Sequence, residues 1–263
     1  MAIPMVLDIL FPPTLFLTGA SVLTLLSLAI LGVLEIRGIN MKYSKFVNTA
    51  SSSSISFKVP SRVGMLLLYT PAFLVGVASF WLYPVGDSRF LFLKSAVTIH
   101  FFKRLFEVIF IHKYSGKMSL DSMIIILVSY FFLSLSLIYT QTFNQGLSEP
   151  SIDLKYLGIV LFLIGISGNF YHHYLLSKLR TKGDKEYKIP KGGLFELVIC
   201  PHYLFEILGF LGISLISQTL YSFSVTLGSA LYLMCRSYVT RKWYMSKFED
   251  FPKEVKALIP FVF

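Results

Sequence analysis

Residues 191–206 are Lys191-Gly-Gly-Leu-Phe-Glu-Leu-Val-Ile-Cys-Pro-His-Tyr-Leu-Phe-Glu206. The glycine pair allows a tight turn with close backbone approach, and Pro201 is suited to bending or starting a helix. In such a helix His202 and Glu206 lie four residues apart on one face, beside Tyr203. A helix among apolar runs rarely keeps such side chains unless they have a task. We therefore expect a helix that carries functional residues to begin here.

Composition indicates an integral membrane protein. The chain has 263 residues, of which 55% are hydrophobic and only 14% are charged, and its mean hydropathy is +0.69. A soluble domain with so little charge would struggle to cover its surface. Several apolar runs approach the roughly 20 residues that cross a bilayer as a helix. We predict an all-α fold, a polytopic membrane bundle of about seven transmembrane helices that forms a single membrane domain over residues 1–263.

The basic residues sort to one side of the predicted bundle. The predicted spans are residues 10–34, 63–86, 89–112, 119–141, 154–176, 195–216 and 219–239. Of the 24 lysines and arginines, only Arg89, Lys94 and Lys155 fall on the side opposite the C-terminal tail. By the positive-inside rule the tail is cytosolic and the N-terminus lies on the far side. Because topology already accounts for the net charge of +10, we expect no nucleic-acid partner.

The third predicted span carries an unusual polar face. His100, Lys103, Arg104 and Glu107 are spaced i, i+3, i+4 and i+7, which places all four on one side of a helix. Each isolated charge at the centre of a bilayer costs about 3 kcal/mol or more, and pairing of Glu107 with either cation reduces that cost. The face is either an interfacial end whose cations snorkel or a basic pocket for an anionic group.

A second polar stripe ends the fifth span, where Asn169, His173, Ser177 and Arg180 share a face. The neighbouring pair His172 and His173 is a possible metal ligand set. However, membrane di-iron enzymes need many histidines in repeated boxes, and this chain has five in all. We therefore predict no metal site.

Nucleotide-binding loops of the usual kinds are missing from the sequence. No Gly-x-Gly-x-x-Gly follows a predicted strand, and there is no Walker sequence. If a nucleotide binds, we expect it in the helical bundle, held by Arg, Lys, Tyr and Asn side chains. Arg236, Thr240 and Tyr244 share a face at the end of the seventh span and could join such a site.

Four segments of the C-terminal half resemble the steroid 5α-reductase family. They are Pro190–Glu196, Cys200–Glu206, Lys247–Pro252 and Lys256–Phe263. The resemblance covers roughly residues 150–263 and implies a seven-helix protein of the endoplasmic reticulum membrane. It also implies that NADPH reduces a carbon–carbon double bond of a lipid or steroid substrate. Residues 150–263 would form the cofactor side and residues 1–149 the substrate side.

The resemblance also implies site residues. Those expected to bind NADPH are Arg104, Asn169, Arg180, Tyr187, His202, Glu206, Arg236 and Tyr244. Steroid reductases pair a Glu in span two with a Tyr in span three to hold the substrate ketone, whereas the corresponding positions here are Tyr69 and Phe101. Phe101 has no proton to give. Tyr69 and Tyr203 are therefore our candidates for the catalytic phenol.

The substrate and the reaction class have alternatives. Ile99–Gly116 is more similar to the trans-2-enoyl-CoA reductase branch, so enoyl thioesters and polyprenol-like lipids stand beside 3-oxo-Δ4 steroids. Isoprenylcysteine methyltransferases carry a related segment, but with the order His-Pro-x-Tyr, whereas here Pro201 precedes His202. A non-catalytic lipid-binding membrane protein is the third possibility, and no protein partner is indicated.

Overall fold

A computed structural model describes residues 8–39, 41, 43, 46, 57–84, 86–114, 116–179 and 186–263. Its long elements are α-helices, one for each of the seven predicted spans. They are α1 (Leu15–Ile36), α2 (Ser61–Leu82), α3 (Ser88–Phe106), α4 (Leu120–Thr142), α5 (Lys155–Lys178), α6 (Pro201–Ser217) and α7 (Leu220–Lys247). The prediction of a mainly α-helical polytopic bundle is thus confirmed.

Four helices are long and apolar enough to cross a membrane, namely α1, α2, α4 and α5. The sixth helix is apolar but has only 17 residues. Large apolar side chains cover the outside of the bundle; Leu15 on α1, for example, is 90% exposed. Such a surface suits lipid rather than water. That all seven helices cross the bilayer stays a prediction.

The predicted start of the sixth span at residue 195 is wrong. Residues Gly193–Glu196 form a single 3₁₀ turn, and α6 begins only at Pro201. The segment between them pairs with the C-terminal tail instead: the Ile199 amide donates to the Lys256 carbonyl at 2.9 Å, and the Cys200 amide donates to the Ala257 carbonyl at 3.2 Å. Proline at the first helical position fixes the start, because its missing N–H is not needed there.

Two short features were not predicted. Strand β1 (Lys58–Pro60) directly precedes α2, and strand β2 (Lys117–Ser119) directly precedes α4. The two strands form an antiparallel pair. In addition, α3 continues as a π-helical turn over Glu107–Ile111. Turns of this kind are frequent at functional sites, and this one lies at the end of the polar face of α3.

Helices α5 and α6 approach each other through glycines. A Cβ atom placed on Gly165 of α5 would collide with the backbone of Gly209 and would lie 2.8 Å from the Phe205 carbonyl oxygen. By contrast, a Cβ placed on Gly209 would have its nearest neighbours at 4.0 Å. Small residues let helix backbones come this close in membranes. This contact sets the spacing between Asn169 on α5 and the polar face of α6.

At the opposite end of α3, the fully buried Arg89 ties together the ends of three helices. Its guanidinium donates to Glu149 at 2.7 Å, to Asp153 at 2.6 Å and to the Ile216 carbonyl at 2.7 Å. Burial alone would raise the pKa of Asp153, but hydrogen bonds from Lys155 and the charge of Arg89 outweigh it and lower that pKa. This cluster anchors the bundle away from the polar faces of α3, α5 and α6.

The α5–α6 contact predicts unequal effects of two matched substitutions. Gly165→Ala should destabilise the protein by about 1–3 kcal/mol, because the added methyl group overpacks the interface. Gly209→Ala should be neutral or stabilise by up to about 1 kcal/mol, since space is available and alanine favours the helix. Thermal unfolding of both variants in detergent measures the difference. Equal melting temperatures would contradict the close approach of these helices.

Candidate functional site

A cavity of about 240 Å³, which we call the larger cavity, opens beside the end of α5, the start of α6 and the end of α7. Five of the predicted site residues line it. They are Tyr187, His202, Tyr203, Arg236 and Tyr244. Tyr43, Lys113, Tyr114 and Lys188 line it as well. Burial raises the pKa of the Tyr114 phenol, so that this hydroxyl stays protonated. The larger cavity is therefore both aromatic and basic.

Arg236 lies at the wall of the larger cavity but has a carboxylate partner. Its Nη1 donates to Glu35 on α1 at 2.6 Å, and both residues are almost fully buried. The guanidinium also lies over the ring of Phe46, with 4.1 Å between Cζ and the ring centroid. Glu35 further accepts from the Tyr232 hydroxyl at 3.3 Å. The ion pair thus links α1 to α7 and balances the charge of Arg236.

A second cluster surrounds Glu107, whose side chain is completely buried. Its Oε1 lies 2.8 Å from Lys103 Nζ and 3.0 Å from His173 Nδ1, and its Oε2 lies 3.4 Å from Arg104 Nη1. We refer to Lys103, Arg104, Glu107 and His173 as the Glu107 cluster. A single carboxylate thereby faces two permanent or near-permanent cations and an imidazole. Because Lys103 and Arg104 contact Glu107 inside the protein, the polar face of α3 is an internal ion-pair cluster and its cations do not snorkel to the membrane surface.

Two chains of hydrogen bonds, which we call arms, lead away from this cluster, and the first reaches α6. Lys103 Nζ donates to the Asn169 side-chain carbonyl. The amide nitrogen of Asn169 in turn donates to the His202 carbonyl at 2.7 Å and to Glu206 Oε2 at 3.2 Å. Asn169 is 3% exposed and Glu206 is 9% exposed. Asn169 therefore holds Glu206 in place and connects it to Lys103.

The other arm reaches α2. Arg104 Nη2 donates to the Tyr69 hydroxyl oxygen at 2.6 Å, so the proton of that phenol is available to another acceptor. The Tyr69 ring stacks on Tyr130 of α4 with 5.5 Å between centroids. Phe101 is fully buried and packs edge-on against Tyr130 at 5.6 Å. Arg104 thus lies against Tyr69 and Glu107, whereas the phosphate-binding role predicted for it required a place along the larger cavity.

The arm through Asn169 ends at a second cavity of about 110 Å³, which we call the apolar cavity and whose wall includes Glu206. The arm through Arg104 ends at Tyr69, which stacks on the wall residue Tyr130. Most of the cavity wall is aliphatic or aromatic and comes from α1, α4, α6 and α7. Its polar side chains include Tyr43, Ser129, Tyr130, Glu206 and Tyr232. Tyr43 also lines the larger cavity. The two cavities are therefore neighbours that share one wall residue.

The histidines near Glu107 invite a metal-binding interpretation. Ligand atoms of Glu107, His112 and His173 lie within 4.8 Å of one another. However, Lys103 and Arg104 already neutralise the single carboxylate, and a dication beside two buried cations would meet strong repulsion. His172 is occupied elsewhere, since its Nδ1 bonds the Gly168 carbonyl at 2.7 Å and its Nε2 accepts from the Leu194 amide at 3.2 Å. The charge balance favours the prediction of no metal site.

Six of the predicted site residues line one of the two cavities, and Tyr69, Arg104 and Asn169 lie in the hydrogen-bond network around the Glu107 cluster. The prediction missed other residues. Arg180 lies outside the described residues. Glu35 and Tyr43 gave no sequence signal, because they come from the first helix and the loop after it. The pairing of Glu107 was foreseeable from its spacing to Lys103 and Arg104, but its contact with His173 was not.

Comparison with known proteins places this geometry in a family. A family model described as 3-oxo-5-alpha-steroid 4-dehydrogenase matches residues 117–263, more than half of the chain. The match includes helices α4 to α7, which contribute wall residues to the two cavities. It begins well before residue 150, where the resemblance of the C-terminal half was first evident.

Individual relatives agree. Over 253 residues the chain is 29% identical to 3-oxo-5-alpha-steroid 4-dehydrogenase 2 of Macaca fascicularis, which covers 94% of this chain and 96% of the relative. It is 35% identical over 167 residues to the very-long-chain enoyl-CoA reductase of Dictyostelium discoideum, over 63% of this chain and 55% of that relative. A steroid 5-alpha-reductase of Gossypium hirsutum is 41% identical over 107 residues, 42% of its length. The chain thus spans about half the length of the Dictyostelium protein and nearly all of the macaque one, and it belongs to the steroid 5α-reductase (3-oxo-5-alpha-steroid 4-dehydrogenase) family.

Proposed function

We propose that this protein is an NADPH-dependent reductase of a carbon–carbon double bond conjugated to a carbonyl in a lipid, with a 3-oxo-Δ4 steroid as the preferred substrate. The observation that carries the proposal is the arrangement of the two cavities. An aromatic, basic cavity adjoins an apolar one; Glu206 lines the apolar cavity, and the Tyr69–Arg104 pair lies next to its wall residue Tyr130. A reductase of this kind needs one compartment for a charged nucleotide and one for a lipid.

The larger cavity suits NADPH by its chemistry. Lys113 and Lys188 bring positive charge to the wall of this cavity. The charge of Arg236 is balanced by Glu35, but its planar guanidinium has further N–H groups that can donate to a phosphate. Tyr187 and Tyr244 offer aromatic surface. When bound, NADPH supplies the hydride that adds to the β-carbon of the alkene. In this proposal Glu206, held by Asn169, binds the nicotinamide carboxamide.

On the substrate side, Tyr69 is the proposed proton donor. Arg104 donates to the phenol oxygen, so the Tyr69 proton can point to the substrate carbonyl and stabilise the enolate that forms after hydride addition. The α-carbon then takes up one proton from solvent, while the proton on the enol oxygen returns to Tyr69 as the carbonyl re-forms. Hydride plus proton saturate the double bond, which balances the reaction. The positive charge of Arg104 favours both the enolate and the phenolate. Tyr203, which lines the larger cavity, remains the second candidate phenol.

An enoyl thioester is the second candidate substrate. The identity with the Dictyostelium enoyl-CoA reductase favours it, as does the similarity of Ile99–Gly116 to that branch. In both substrates the double bond is conjugated to a carbonyl, so Tyr69 and Arg104 would act in the same way. We also propose that the protein is a multi-pass component of the endoplasmic reticulum membrane with a cytosolic C-terminus, so that the larger cavity faces cytosolic NADPH.

A direct assay tests the function. Purified protein in detergent should oxidise NADPH when a 3-oxo-Δ4 steroid is added, and mass spectrometry should find the 5α-reduced product. A trans-2-enoyl-CoA and a polyprenol-like lipid are the competing substrates. Preference for either of them would change the substrate class. Absence of both turnover and NADPH binding would remove the reductase proposal.

Cofactor binding can be followed at the wall of the larger cavity. Trp243 packs against Tyr187 at 4.9 Å and is one of two tryptophans, so a Trp81→Phe background leaves it as the only indole. Its emission should be quenched by energy transfer to bound NADPH. In that background, Glu35→Met/Arg236→Met should raise the Kd for NADPH about 10-fold or more, the loss of a charged hydrogen bond.

The double substitution removes both charges of the buried ion pair, because loss of Arg236 alone would leave Glu35 unpaired and destabilise the fold. Lys155→Met, on the side of the bundle where Arg89 lies, is the control and should leave the Kd unchanged. An unchanged Kd in the folded double variant would take Arg236 out of the cofactor site.

The choice of phenol is tested by three tyrosine variants. Tyr69→Phe should lower kcat about 100-fold, the usual contribution of a positioned acid, while the Kd for NADPH stays the same. Tyr203→Phe should have a smaller effect on kcat, and Tyr139→Phe on the exposed face of α4 should have none. If Tyr203→Phe shows the larger loss, the catalytic phenol is Tyr203.

A further inference from the structure

The polar arms that reach Tyr69 and Glu206 start from one carboxylate, and of these two residues Glu206 lines the apolar cavity. Glu107 pairs with Arg104, which donates to Tyr69, and with Lys103, which donates to Asn169 and through it reaches Glu206. None of these contacts involves a surface residue: Glu107 is 0% exposed, and the Lys103 and Arg104 side chains are 10% and 13% exposed. We propose that Glu107 is a positioning residue for the reduction, which sets the place of Tyr69 through Arg104 and the place of Glu206 through Lys103 and Asn169.

The local backbone supports this role. The π-helical turn begins at Glu107, and the amide of His112 donates to the Glu107 carbonyl at 2.7 Å. Arg62 of α2 donates to the Ile109 carbonyl within that turn at 2.6 Å. A π turn widens the helix and changes the direction of the side chains around it. It is held here by a contact from the same helix that carries Tyr69.

Electrostatics give the carboxylate a second task. Arg104 and Lys103 are adjacent in sequence and would repel each other in a buried site. Glu107 partly neutralises both cations, and the Arg104 guanidinium, which contacts the Tyr69 oxygen, has the sign that stabilises a developing enolate. His173 adds a further hydrogen-bonding partner from α5 at 3.0 Å. Glu107 therefore fixes geometry and sets the local charge, without touching the substrate.

The proposal rests on the proposed function, and its test separates the two. In wild-type protein, turnover of the preferred lipid establishes the reductase activity. Glu107→Gln should then lower kcat about 100-fold through the Arg104–Tyr69 arm, because a misplacement of about 1 Å costs that much, and should raise the KM for NADPH about 3-fold or more, because Glu206 loses its support through Lys103 and Asn169. Glu107→Asp keeps the charge on a shorter side chain and should recover about 10-fold of the loss.

Coupling to Arg104 distinguishes positioning from general destabilisation. In an Arg104→Gln background, the further change Glu107→Gln should lower kcat less than about 3-fold, since the two residues act through the same contact. Glu149→Gln removes a carboxylate from buried Arg89 at the other end of α3 and is the matched control. It should change thermal stability but leave kcat unchanged.

The single Glu107→Gln variant leaves two buried cations uncompensated and could fail to fold. In that event Lys103→Met, which retains the Glu107–Arg104 pair, is compared with Lys103→Met/Glu107→Gln, which removes one charge of each sign. The second should have about 100-fold lower kcat than the first. Retained kcat in the folded Glu107→Gln or double variant would overturn the role of Glu107 while leaving the reductase intact. Absence of wild-type turnover with all three lipid classes would overturn both.

Discussion

A single buried carboxylate between two cations is the interaction on which the site depends. Glu107 lies in the part of the bundle where an unpaired charge would cost several kcal/mol, and Lys103 and Arg104 lie one helical turn before it on the same face. Burial of such a pair is not stabilising in itself, because desolvation offsets the attraction between the charges. What the arrangement provides is fixed geometry. The cations can be satisfied only if α2 brings Tyr69 to Arg104 and α5 brings Asn169 to Lys103.

The close packing of α5 against α6 serves the same constraint. Gly165 allows the two backbones to approach, and one turn further along α5 Asn169 reaches both the His202 carbonyl and Glu206. The tail fixes the preceding segment: Arg241 donates to the Val255 carbonyl at 2.6 Å, and Lys256 pairs with Val198. Because α6 begins only at Pro201, residues 197–200 are outside the helix and can pair with the tail. The late start of α6 therefore contributes to the site.

Much of this could be predicted from the sequence, for identifiable reasons. Apolar runs located all seven long helices, because each exceeds the length of an ordinary buried strand and has helical spacing. The shared spacing of Lys103, Arg104 and Glu107 predicted a polar face. Spacing within one helix, however, does not specify which helix is opposite. Contacts such as Glu35 with Arg236, or Arg104 with Tyr69, depend on tertiary packing over 35 residues or more. The role expected of Arg104 at the phosphates illustrates that limit.

The substrate side shows how a changed residue can leave the chemistry possible. In the family pattern a Glu on the second span stands beside a Tyr on the third, whereas this chain has Tyr69 on α2 and Phe101 on α3. Phe101 fills its place as packing, against Tyr130 and the His100 ring. In the proposed mechanism the phenol is Tyr69 of α2, and its charged partner, Arg104, comes from α3. In this mechanism a cation lies against the phenol oxygen, which favours accumulation of negative charge on the substrate oxygen. This mechanism requires that Arg104 is held in place and that its charge is partly neutralised. Glu107 meets both demands in this chain.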